Sequence, residues 1–172
     1  MPKNIPVLLG LCTALGATPA LAAPDDYEFT EPAPWKETQK SLPDYPKDED
    51  LLSVDLTTTR SSFDYFIDAK NISTDEDEIV RYTLVITSES GAKNVLHEGI
   101  RCGLRKYKTY AYGSGDATTF QEVKEPVWKK IDRTGPGAFR NQLFSYYLCA
   151  ENELPLTPRQ IVERIKYPQR DR

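Results

Sequence analysis

The chain has 172 residues and a formal net charge of −4, with 28 % of its residues charged. That length suits one domain with a buried core, and the acidic balance argues against a general nucleic-acid binder. Beyond the first two dozen residues no apolar run is long enough to span a bilayer.

The N-terminal "MPKNIPVLLGLCTALGATPALAA" has one lysine, an apolar run from Val7 to Ala17, and then Ala20-Leu21-Ala22. This is the pattern of a cleavable export signal over residues 1–22. Cutting after Ala22 spares the peptidase a proline at the first mature position. Leu11 is too large for the residue before a lipidated cysteine, so Cys12 is read as discarded with the signal and a lipid anchor as the lesser alternative. The mature chain then has 150 residues and a net charge of −5. Its two remaining cysteines, Cys102 and Cys149, form an even count in an exported chain, which predicts one disulfide.

Residues 23–50 read as a proline-rich acidic arm, with nine acids against three lysines and too little apolar surface to offset ordering entropy. Trp35, Leu42 and Tyr45 are its candidate docking residues. Residues 51–172 read as a single α+β domain carrying a balance of +1.

From Leu51 the pattern is strand-like. "LLSVDLTT", "SFDYFID", "EIVRYTLVIT", "NVLHEGIRC", "KYKTYAYG" and "TTFQEV" are β-branched, aromatic or alternating, and short turns join them. The expectation is an antiparallel β-meander. "KEPVWKKIDRTGPG" reads as a loop anchored by Trp128 and Ile131. "AFRNQLFSYYLCA" has helical spacing. "TPRQIVERIK" carries Thr157 as N-cap, Pro158 in the first turn and Gln160 in the capping-box position. Two C-terminal helices therefore follow the sheet.

A hairpin whose opposite residues sum to 182 places Val80, Tyr82, Leu84, Ile86, Leu96, Glu98, Ile100 and Cys102 on one face. Glu98 then points toward the core and needs a partner. The other face pairs Arg81 with Arg101, and like charges across a strand pair repel. Two readings follow. In one, Arg81 and Arg101 bind a small anion through forked hydrogen bonds, with Asp68 and Glu98 in the same polar cluster. In the other, the arginines pair with Asp64, Asp68 or another acid of a neighbouring strand.

His97 is the only histidine, and Glu98 beside it points to the opposite strand face. With one histidine and both mature cysteines paired, no metal site is expected, and His97 reads as a surface residue. "STDEDE" lacks the glycine and spacing of a calcium loop and reads as a solvated turn. In "RCGLRKYKTYAY", Lys106 and Lys108 share one face and read as outward lysines on a half-buried strand. No nucleophile elbow, glycine-rich phosphate loop or paired-cysteine redox motif is present. No catalytic residue and no cofactor is expected.

The stretch "FIDAKNIS…EIVRYTLVITSESGAKNVLHEGIRC…YKTYAYG", with the later "LFSYYLC" and "PRQIVERIK", is similar to the cryptic neisserial protein-like family of small exported bacterial proteins. The resemblance covers roughly Asp50 to Lys166 and is most specific at Val80-Arg81-Tyr82 and Glu98-Gly99-Ile100-Arg101-Cys102. It implies export and a shared architecture, and no chemistry. Glu78 stands where that family suggests a turn glycine, and His97 where it suggests a tyrosine. The functional expectation is a periplasmic domain that binds another envelope protein or component; the alternative is a small-anion receptor or enzyme using the Arg/Glu/Asp cluster.

Overall fold

Alternating β-branched and aromatic residues build the centre of the molecule in a computed structural model that describes residues 34–56, 63–116 and 118–168. The strands are β1 (Leu51–Val54), β2 (Phe63–Asp68), β3 (Ser73–Thr74), β4 (Ile79–Ser88), β5 (Lys93–Arg101), β6 (Lys106–Gly113), β7 (Phe120–Glu122) and β8 (Lys129–Lys130). They form one antiparallel sheet in the order β1-β2-β4-β5-β6-β7, with β3 on β4 and β8 on β6. The fold is α+β, and its sheet is the expected meander. β8 falls inside the segment read from sequence as a loop.

The β4–β5 hairpin departs from the expected register by two residues. Tyr82 faces Glu98, Thr83 faces His97, and Arg81 faces Gly99, not Arg101. The turn decides this. Ser88 N donates to Ala92 O, Gly91 N donates to Ser88 O, and Gly91 has φ +83°. A three-residue loop with its last residue left-handed is a favoured hairpin closure, and it centres the turn on Ser90. A slip of two residues keeps every side chain on its expected face, so the apolar pattern alone does not distinguish the two registers.

One face of the sheet carries Ile67, Val80, Tyr82, Leu84, Leu96 and Ile100, all buried. The helical layer covers it. α1 (Phe139–Gln142) continues as a π-helical turn, Leu143–Leu148, which buries Leu143, Phe144, Tyr147 and Leu148. α2 (Pro158–Lys166) starts with the expected capping box. Gln160 N donates to Thr157 Oγ1, and Thr157 N donates to Gln160 Oε1. Ile161 and Ile165, four apart, enter the core. The Cys102–Cys149 disulfide ties the end of β5 to the end of the helical turn, with the two Cα atoms 5.8 Å apart.

The second face is also covered, and by a different part of the chain. A compact unit begins at Trp35, and its first residues, without regular secondary structure, bond Asp77, Arg81 and Lys108. Tyr45 seats its ring against Phe120, with centroids 5.2 Å apart, and its hydroxyl lies 2.7 Å from where a Cβ on Gly113 would be. Of the arm read from sequence, residues 34–50 are described and Trp35 and Tyr45 dock on the sheet. The signal segment and the arm before Pro34 lie outside the described residues.

Candidate functional site

β4, β5 and β6 present charged side chains on both faces of the sheet, and burial forces each to find a partner. On the helical face Glu98 is wholly buried. Its carboxylate accepts from Arg140 Nε (2.9 Å) and Nη2 (2.6 Å), from Tyr82 Oη (3.1 Å) and from Thr109 Oγ1 (2.7 Å). The Arg140 guanidinium also lies over the Tyr107 and Phe139 rings. Burial works to lower the Arg140 pKa, but the Glu98 carboxylate outweighs it and the guanidinium is held above its ordinary value.

On the second face Arg81 is 4 % exposed. Its Nη1 and Nη2 donate to Asp77 Oδ1 (3.2 Å) and Oδ2 (2.6 Å), Nη1 also reaches Asp75, and Nη2 donates to Thr38 O. Its acids come from the β3–β4 turn and not from Asp64 or Asp68. Burial tends to raise the Asp77 pKa. The hydrogen bonds from Arg81 and from the Thr38 and Ile79 amides overcome that and hold it low.

Arg101 shares the face of Arg81 and stacks on Trp35, with Cζ 3.7 Å from the ring centroid. Asp68 ends β2 and organises the following turn, accepting from Lys70 N and Asn71 Nδ2. The structure thus distributes the four sequence candidates. Arg81 and Arg101 share a face, Glu98 lies on the opposite one, and Asp68 is engaged by its own turn.

Two expectations are corrected here. His97 is 6 % exposed, not a surface residue. Its Nδ1 bonds Thr83 Oγ1 at 3.1 Å, and its ring packs near Tyr110 and Phe120. Burial, with the Arg81 charge, pushes its pKa down to about 4. Lys108 is 8 % exposed, not outward. Both residues point to the face that the early segment covers, which local alternation cannot reveal.

Lys108 belongs to the most concentrated polar constellation on that face. Its Nζ donates to Glu37 Oε2 at 2.5 Å, Trp128 Nε1 donates to the same oxygen at 3.3 Å, and Tyr110 Oη donates to Glu37 Oε1 at 2.9 Å. The ammonium sits between the Tyr110 and Trp128 rings, 5.5 and 4.8 Å from their centroids. A register shift in the β5–β6 ladder at His97/Glu98 leaves Tyr110 as the extra residue of β6, which turns its ring toward Arg81 and His97. Gly99 makes room for it: a Cβ there would lie 2.8 Å from Tyr110 Oη.

Residues 30–166 match the CNP1-like family. The chain belongs to the CNP1-like family. No curated protein and no solved structure matches it. In this CNP1-like chain, the described residues contain no cluster of three or more His, Cys, Asp or Glu placed to hold a metal ion. No helix among the described residues is long and apolar enough to cross a membrane.

Sequence reasoning missed Glu37, Asp77, Lys108, Tyr110 and Trp128 as one group. The available signal was weak: an aromatic residue two positions before a carboxylate, Trp35-x-Glu37, inside a stretch otherwise rich in proline and acid.

Proposed function

We propose that this CNP1-like protein is exported to the periplasm and works there by binding another envelope component, without catalysing a reaction. The observation that carries the binding reading is the state of the sheet's charged side chains. Arg81 and Glu98 are each matched by an acid or base of the same chain, and His97 is neutral and hydrogen-bonded inside the fold. Groups tied up in this way hold a shape; a proton-transfer site needs one that can reach a substrate.

Export is supported by the signal-like pattern of residues 1–22, by the resemblance to small exported proteins, and by the Cys102–Cys149 bond, since such bonds persist in oxidising compartments. The test is fractionation of the native host with intact-mass analysis, followed by cross-linking and pull-down from the intact envelope. The expected results are a periplasmic chain beginning at Ala23, both mature cysteines oxidised, and a recovered envelope partner. Cytoplasmic material with free thiols overturns the export reading. A co-purifying small anion lost in Arg81→Gln/Arg101→Gln, with the fold kept, replaces the partner-binding reading with the receptor alternative.

A further inference from the structure

We infer that the second face of the sheet is a peptide-binding site for an extended segment carrying an aromatic residue two positions before a carboxylate, and that the chain's own Trp35–Thr38 occupies it in cis. This deepens the binding reading above and rests on it for the biological partner.

The contacts read a linear segment in the manner of a peptide receptor, with main-chain clamps for affinity and alternate side chains for specificity. Trp35 stacks on Arg101 and donates Nε1–H to Asp77 O at 3.0 Å. Lys36, between the two read positions, is exposed. Glu37 is gripped by three donors, Lys108, Tyr110 and Trp128. At Thr38 both main-chain groups are used: its N–H donates to Asp77 Oδ2 at 2.9 Å, and its C=O accepts from Arg81 Nη2 at 3.0 Å. With the segment seated, the Lys108 side chain is about nine-tenths buried between the Tyr110 and Trp128 rings.

The cover is separable from what it covers. Residues 34–47 contribute no strand or helix, and Trp35 remains 41 % exposed. The seat beneath is held largely by charge and hydrogen bonds, where a permanent cover would be better served by apolar contact. A buried ion pair contributes little net stability beyond an apolar pair of the same size. One carboxylate-bearing segment therefore exchanges for another with small loss, provided every donor is matched again. The tethered segment competes through its high effective concentration, so the resting chain is self-occupied.

The probe is a fluorescently labelled synthetic peptide of residues 34–41, titrated into the full-length chain and into full-length Trp35→Ala/Glu37→Gln, with anisotropy as the readout. The expected result is saturable binding to the variant at least tenfold tighter than to the unaltered chain, lost at least tenfold when the peptide's glutamate becomes glutamine. A variant with a native thermal transition that binds no peptide, or binds it regardless of the glutamate, overturns the proposal. Should the variant fail to fold, hydrogen exchange on the unaltered chain decides. The Thr38 amide is expected to exchange at least a hundredfold faster than those of Tyr82 and Leu84, through local release of the segment; equal protection overturns the proposal. Sedimentation of the unaltered chain as a dimer that the peptide dissociates assigns the seat to a second copy and also overturns it. Peptide binding in solution together with a cytoplasmic location sinks the envelope reading alone and leaves the site standing.

Discussion

Arg140 meets Glu98 side-on across the sheet–helix interface, two nitrogens against two oxygens at 2.9 and 2.6 Å, where Glu98 has no solvent-exposed surface. The pair joins β5 to the first turn of α1 in a core that is mainly apolar, with the Tyr82 and Thr109 hydroxyls on the same carboxylate. Removing one partner strands the other. Arg140→Ala is expected to destabilise the protein by about 3–5 kcal/mol in urea unfolding. Glu98→Gln/Arg140→Met, which removes both charges, is expected to recover at least half of that loss. A double variant no more stable than Arg140→Ala contradicts this account.

The disulfide links positions 47 residues apart. Closing a loop of that size in the unfolded chain is worth roughly 4 kcal/mol. Cys102→Ser/Cys149→Ser, or reduction of the native chain, is expected to lower unfolding free energy by about 3–4 kcal/mol. The helical turn ending at Leu148 should lose amide protection before β4 does. A loss under about 1 kcal/mol in the double serine variant would show that packing of Leu143 and Leu148 holds the layer unaided.

His97 predicts a specific pH dependence. Its folded pKa is about 4 against an ordinary 6.5, so between those values the unfolded chain binds more protons than the folded one. Stability therefore falls as pH drops from 6.5 toward 4, by at most about 1.4 kcal/mol per pH unit. The causes are burial first and then Arg81, with Tyr110 the other polar ring beside it. His97→Phe removes this slope. Asp77, held low, gives stability that is lost only at more acid pH, so the two contributions separate. An unchanged slope between pH 6.5 and 4.5 in His97→Phe rejects the assignment.

Glu78 has φ +59° at the start of β4, the place where the family resemblance suggests a glycine. A left-handed conformation strains any side chain, and β-branched ones most. Glu78→Gly is expected to be stabilising by up to about 1 kcal/mol, and Glu78→Val destabilising by about 1–3 kcal/mol. Thermal melts of the two variants check the opposite signs.

Much of the sheet was legible because its strands carry period-two signals. Tyr82, Leu84, Ile100 and Glu98 were all placed on the core side from alternation. The Thr157–Gln160 capping box and the Ile161/Ile165 pair were local and equally clear. The hairpin register was not, because a two-residue slip leaves the pattern unchanged and only the left-handed Gly91 fixes it. His97 and Lys108 resembled solvent-facing residues because alternation reports one covered face. What covers the other comes from residues 39 to 91 positions away from Asp77, Lys108, Tyr110 and Trp128 in sequence, and the hints were the apolar residues of the arm, Trp35, Leu42 and Tyr45. The Glu98 partner, Arg140, lies 42 residues downstream and had no local signature.

The donors that grip Glu37 arrive in the order Lys108, Tyr110, Trp128, so the segment bearing that carboxylate leaves the ribosome more than ninety residues before its pocket is complete. It is the first described part of the protein to be synthesised, and the seat of its carboxylate cannot close until Trp128 has been made. Until then the Glu37 carboxylate lacks its full set of donors, and the segment is open to a chaperone or carrier that reads tryptophan and glutamate in extended chain.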